Sequence, residues 1–323
     1  MRVRIFRILL LLIPLAIIIV YLFKERSPFG GRNSSFAVDQ ETEITRIEFT
    51  SGDEKLTLER NGEDWLVNGR SEARQSSIRF ILRIITGMEI KSPVSPEMFK
   101  NEITDRGVTP VRVKVIHGRR ILRSFLVYKT GSNNYGNIMK LRERSKPFIV
   151  YVPGNEAAIG SAFNTNRLFW EPFTLFELLP SEISSVTIEN LADPESSFTI
   201  RKENRKFVLS ASGGELPDWD TLKVMRYISY FTHVQFESWL PGLTPEEKEK
   251  IISGEPLYKI SVSRTDGQKT DVRLWERKIT ENGEEKDDSD RLLGQTGSQD
   301  DVFVIRFVDI DPLLKKRSYF YRE

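Results

Sequence analysis

The sequence predicts an α+β fold in which two tandem modules of antiparallel sheet, each with a covering helix, follow one N-terminal transmembrane helix. Three observations carry this. Residues 8–23 form an uncharged apolar run, short segments of period-two alternation recur through the rest of the chain, and two long stretches, 44–172 and 183–323, align with one another once loop lengths are allowed to differ. With 323 residues, 39% hydrophobic and 29% charged, the chain has material for two ordinary cores, and pervasive disorder is excluded.

The apolar run reads ILLLLIPLAIIIVYLF, and admitting Ile5 and Phe6 across Arg7 lengthens it to nearly the ~30 Å hydrocarbon core at about 1.5 Å per residue. Arg7 and Lys24 stand at its edges, where long cations reach the headgroups. Pro14 is tolerated better in a membrane span than in a soluble helix. Residues 21–26 (YLFKER) offer no small-x-small cleavage site, which favours an uncleaved anchor over a signal peptide. Arg2, Arg4 and Arg7 outweigh Lys24 and Arg26, so the expected topology is single-pass, with the N-terminus cytoplasmic and the bulk of the chain periplasmic or otherwise extracytoplasmic. Residues 1–26 are thus assigned to the anchor and its flanks, and 27–43, opening SPFGGRNSSF, to a flexible tether. The sequon at Asn33 has meaning only in a eukaryotic secretory pathway.

The first module, 44–172, opens on alternating strands at 44–49 and 55–60, then a hairpin into 64–67. Asn61-Gly62 signals a type I′ turn, and Asn68-Gly69 closes the strand. Ile78, Ile81, Leu82, Ile85 and Met88 recur at helical spacing, and Ser95-Pro96-Glu97 caps a second, short helix. Strands follow around Val111, Val113 and Val115, then at 124–129 and 148–152. The second module repeats this order. Strands at 183–188, 197–202 and 206–209 precede a helix with Val224, Met225, Ile228 and Phe231 on its buried face, capped by Asp218 or Asp220. Thr244-Pro245-Glu246 caps the short helix, and strands follow around Tyr258, Ile260 and Val262, then at 270–275 and 302–307. Arg167 to Glu171 and Arg317 to Tyr321 end the two copies, and 173–182 reads as an aromatic connector.

This layout resembles a bacterial family of membrane-anchored proteins of unknown function found near gliding-motility-type ABC transporters. The single N-terminal span, the strands at Ile44 to Ile47 and Lys55 to Leu58, and Trp65 to Gly69 leading through Ala73 into an apolar helix carry the resemblance. It implies a location at the cell inner membrane and association with transporter subunits, but no reaction and no catalytic residue.

Beyond the anchor the charge is nearly balanced: without Arg2, Arg4 and Arg7, 45 basic side chains face 46 acidic ones, which argues against a nucleic-acid partner. The absence of cysteine excludes disulfides, thiol catalysis and thiolate metal sites. His117 and His233 are far apart in sequence, His117 in a hairpin and His233 where the other copy has Gly87. No Gly-x-Ser-x-Gly elbow or phosphate-binding glycine loop is present, so neither a catalytic residue, a metal nor a cofactor is assigned. The acidic run 281–290 lacks the spacing of a calcium loop and reads as a solvated hairpin loop, while Asp309 and Asp311 offer a carboxylate pair for general acid–base work but read equally well as alternation at a strand end. Trp65, Trp219, Trp239 and Trp275 are expected in cores.

The residues chosen as binding candidates are the aromatic ends of the two copies: Arg167, Trp170, Phe173 and Phe176, and Arg317, Tyr319, Phe320 and Tyr321. The C-terminal group has no following module to cover it, which makes it the expected contact for a membrane partner. The expected function is a membrane-anchored, extracytoplasmic binding or scaffolding protein, without enzymatic activity, held in lipid by its N-terminal helix. An envelope hydrolase using carboxylates of both modules and a solute-binding sensor remain the alternatives.

Overall fold

The computed structural model describes residues 35–130, 136–154, 159–204, 206–211, 214–281, 283–297 and 300–321. The apolar run and most of the tether therefore lie outside the described residues; among the described residues no helix is long and apolar enough to cross a membrane. The architecture is α+β, dominated by antiparallel sheet, and the chain divides into two compact units between Glu171 and Pro172.

The first unit contains β1 (Arg46–Ser51), β2 (Glu54–Asn61), β3 (Asp64–Val67), β4 (Ser71–Glu72), α1 (Gln75–Gly87), β5 (Glu89–Pro93), α2 (Pro96–Phe99), β6 (Val111–His117), β7 (Arg120–Tyr128), β8 (Asn137–Lys140) and β9 (Phe148–Tyr151). Nine strands form one sheet in the order β4-β3-β2-β1-β6-β7-β8-β9-β5. Period-two alternation puts Ile47 and Phe49, Leu56 and Leu58, and Val111, Val113 and Val115 on the buried face. There they meet Ile78, Ile81, Ile84 and Ile85 of α1, so Ile84 joins the expected stripe while Leu82 is only half-buried. The β2–β3 turn differs from the expected type I′. Asn61 pairs with Asp64, so Gly62 and Glu63 are central, and only Gly62 has positive φ, as in a II′ turn. The short helix begins as expected, with Ser95 Oγ accepting from the Met98 amide.

The second unit contains β10 (Thr174–Phe176), β11 (Ile183–Asn190), β12 (Phe198–Glu203), β13 (Lys206–Ala211), β14 (Gly214–Glu215), α3 (Thr221–Ser229), β15 (Val234–Gln235), β16 (Ser238–Trp239), α4 (Pro245–Ile252), β17 (Tyr258–Arg264), β18 (Lys269–Glu281), β19 (Glu284–Thr296), β20 (Val302–Arg306) and α5 (Phe307–Ile310). Its large sheet runs β14-β13-β12-β11-β17-β18-β19-β20-β16, and β10 pairs with β15. Asp220, not Asp218, caps α3: its carboxylate accepts from the Leu222 and Lys223 amides. Met225 is a correction, because it faces solvent and Tyr227 fills the core position beside Val224 and Ile228. At α4, Thr244 and Glu247 form a reciprocal capping box.

Two further expectations change here. The acidic run is not a loop: β18 and β19 continue past Leu274 and Arg291, where their flanking partners β17 and β20 stop, as a two-stranded ribbon. Cross-strand pairs Arg277–Asp288 and Lys278–Asp287, with Lys286 against Glu281, hold a ribbon too polar to be recognised by hydrophobic alternation. The last strand stops at Arg306, and Phe307 opens a helical turn instead of ending the strand.

Candidate functional site

The aromatic ends are structural closures. Trp170 is fully buried, stacks on Phe49 at 5.4 Å between ring centroids, and donates Nε1–H to the Asn164 carbonyl. Its own carbonyl accepts the Arg74 amide at 2.6 Å, tying the end of the unit to the start of α1. Phe320 is likewise fully buried, against Phe198 and Tyr227, and its carbonyl accepts the Asp220 amide at the start of α3. Phe176 packs on Phe231, and half-buried Phe173 meets Phe236, so 173–176 contributes a core strand to the second unit and is no free connector.

The polar members are held too. Arg167 bonds both oxygens of Glu171 at 2.8 Å, and Glu171, itself 2% exposed, also accepts from Ser71 Oγ. Arg317 is half-buried where a single 3₁₀ turn begins. The ring of Tyr319 lies beneath Lys223 Nζ at 5.7 Å, and burial followed by the neighbouring Tyr230 hydroxyl pushes its own hydroxyl above the ordinary tyrosine range. Tyr321 accepts Lys223 Nζ through its carbonyl. Of the eight chosen residues, Trp170, Phe176 and Phe320 are buried within their own unit and cannot form a contact surface, and the other five are half-buried.

His117 ends β6, exposed, with Nδ1 3.9 Å from Glu43, and His233 is exposed after α3. Among the described residues no group of three histidine, aspartate or glutamate side chains has a geometry for a metal ion. Trp65, Trp239 and Trp275 are in the core, whereas Trp219 is half-buried in an isolated bridge to Tyr321.

A surface that the sequence reading did not single out lies on the second unit, where β19, β20 and α5 meet. Antiparallel register sets Arg291 directly opposite Arg306, a like-charge pair that sheets ordinarily avoid. Each is neutralised by a carboxylate in fork geometry: Arg291 binds Glu237 at 2.6 and 3.3 Å, and Arg306 binds Asp309 at 2.7 and 3.0 Å. The hydrogen bond from Arg291, then the fields of Arg291, Arg306 and Arg277, hold the Glu237 carboxyl below the ordinary glutamate range. Both arginines are pushed above their usual range by the reciprocal bonds.

Helix α5 is a single turn. Ile310 points into the core with Leu313 just beyond it, so Phe307 and Val308 are forced outward, 39% and 70% exposed. Phe307 and Val308 line an open cleft of about 520 Å³ together with Arg291, Arg306, Ser289, Asp290 and Asp311. Asp309 and Asp311, expected at a strand end, occupy the turn and its C-terminal cap, and each faces a cation, Arg306 and Lys315. A carboxylate clamped by a cation is a poor general base, so the groove suits recognition better than proton transfer. The sequence signals were Arg306-x-x-Asp309, an ion-pair spacing of one helical turn, and the apolar pair Phe307-Val308 beside it. Comparison with protein-family models, curated proteins and solved structures gives no match.

Proposed function

We propose that this chain is a non-enzymatic binding or scaffolding protein of the cell envelope, anchored by residues 8–23, and that the groove beside α5 receives a protein partner. The observation that carries the proposal is the exposure of Phe307 and Val308 in a cleft they share with Arg291 and Arg306, each of which is bound by a carboxylate. An apolar centre within a polar, hydrogen-bonded rim, with arginine and an aromatic ring among its members, is the anatomy of a protein interface. A transporter subunit is the partner class that the sequence resemblance suggests. The hydrolase alternative requires a carboxylate free to move a proton, and the pairing of Asp309 and Asp311 speaks against that pair.

The same proposal reads the two units as copies of one ancestral module. Its support is the strand order of the two large sheets, which is identical once β10 and β15 are set aside, together with two matched backbone bonds and one matched hydroxyl-to-carbonyl bond. Arg74 to Trp170 corresponds to Asp220 to Phe320, Val38 to Ile85 corresponds to Leu178 to Phe231, and the Thr45 side chain on Ile116 corresponds to the Ser184 side chain on Ser263.

The test is co-purification from membranes of the full chain carrying Val308→Asp or Phe307→Ser, beside thermal unfolding. Association lost at unchanged melting temperature is expected, and association undiminished in both variants would overturn the groove as the docking site.

A further inference from the structure

We infer that the β6–β7 hairpin tip, Arg119, Arg120 and Ile121, is a second membrane contact that rests on anionic phospholipid headgroups. The inference rests on the anchor reading above. All three residues are exposed, and Ile121, at 54%, is among the most exposed large aliphatic side chains of the first unit. Neither arginine has an acidic partner among the described residues, whereas Arg123, on the same hairpin, is committed to the Ala37 and Leu122 carbonyls.

The bond from Arg123 to Ala37 also fixes where the tip stands along the chain. Phe36 is buried against Phe125 and Phe148, so the polypeptide is pinned beside this hairpin as soon as it becomes part of the unit. Only residues 24–35 separate the apolar run from that pin, and at no more than about 3.6 Å per residue the stretch from Phe23 to Phe36 cannot exceed about 47 Å. From Arg123 to Arg120 is three residues of strand, roughly 10 Å. The tip is therefore tethered near the bilayer at an effective concentration in the millimolar range, where a weak contact suffices.

The nearby carboxylates leave the cations in surplus. Glu43 is bridged to Arg60 at 2.7 Å, which leaves Asp39 and Glu41 against the three positive charges of Arg119, Arg120 and Arg123, the last of which bonds neutral carbonyls. An arginine fork fits a phosphodiester, and Ile121 supplies apolar area at the depth of the headgroups.

The chain contains no cysteine, so His117→Cys gives one labelling site at the tip, and Asp53→Cys gives one in the β1–β2 turn, at the opposite end of the same sheet, as a control. Each full chain, carrying an environment-sensitive fluorophore, is reconstituted in vesicles of phosphatidylcholine with phosphatidylglycerol, or of phosphatidylcholine alone. Blue-shifted emission and quenching by brominated lipid are expected at position 117 in the anionic vesicles and not at 53. Each arginine replaced by glutamine should weaken the attached population about fivefold, and salt should do the same. A chain that washes from vesicles at alkaline pH overturns the anchor and this inference with it. A chain that stays with the vesicles while the label at 117 remains in water overturns the inference alone.

Discussion

Trp170 and Phe320 show how a side chain can look like a contact and act as a keystone. Each lies near the end of its unit, fills the core and offers its carbonyl to the first amide of the covering helix. Trp170→Ala should cost about 3–5 kcal/mol in a denaturant titration, because it leaves a cavity beside Phe49 and removes the bond to Asn164. A loss below 1 kcal/mol would mean that the ring is not a core member. The aromatic crowding was legible in the sequence but its destination was not, since Phe49 and Phe198 reach these rings only through long-range sheet pairing. Glu237 makes a second residue-scale prediction. Its carboxyl is held below the ordinary glutamate range by Arg291, so its stabilising contribution is complete above about pH 4.3. That contribution fades as pH falls toward the lowered folded-state value. Glu237→Gln should therefore be slightly less stable than the parent at neutral pH, and the difference should close on acidification. Because the pair is more than a third exposed, the effect is small. A difference that widens with falling pH would contradict the assignment.

At the scale of elements, hydrophobic period decided what could be read. Strands with one buried face, and α1 with its isoleucines, were recoverable because alternation and helical spacing survive in the residues themselves. The ribbon of β18 and β19 was not, because charged residues occupy both faces and only cross-strand ion pairs record the register. Helix α5 was missed for a related reason: Val302 to Ile305 form a buried run, and nothing in Phe307 alone announces that the apolar pattern changes period. One packing detail of this sheet is testable. Gly294 lies opposite Phe303, whose ring atoms would stand 2.3 Å from an added β-carbon. The ring covers the glycine and in turn stacks on Phe236 at 4.5 Å. Gly294→Ala should push the ring off this seat and destabilise the second unit by about 1–3 kcal/mol, read by thermal or denaturant unfolding. An unchanged midpoint would show that Phe303 has room to move.

The whole molecule poses the question of cooperativity. Each unit owns a nine-stranded sheet and a helix that seals one face of it. Ile81 on α1 and Ile228 on α3 are fully buried in these two seals, and truncating either to alanine removes comparable apolar volume, at about 2–5 kcal/mol. If each unit is a cooperative block in its own right, as units of ordinary domain size usually are, the cost of each change stays within its block. Hydrogen exchange followed by mass spectrometry on the full chain separates the two. Amides of β6 around Val113 report on the first unit and those of β17 around Val262 on the second, since both lie mid-sheet and exchange only on large-scale opening. Ile81→Ala should lower protection around Val113 by a factor set by its destabilisation and leave Val262 unchanged, and Ile228→Ala should do the reverse. Equal loss at both strands from either substitution would mean that the chain unfolds as one block.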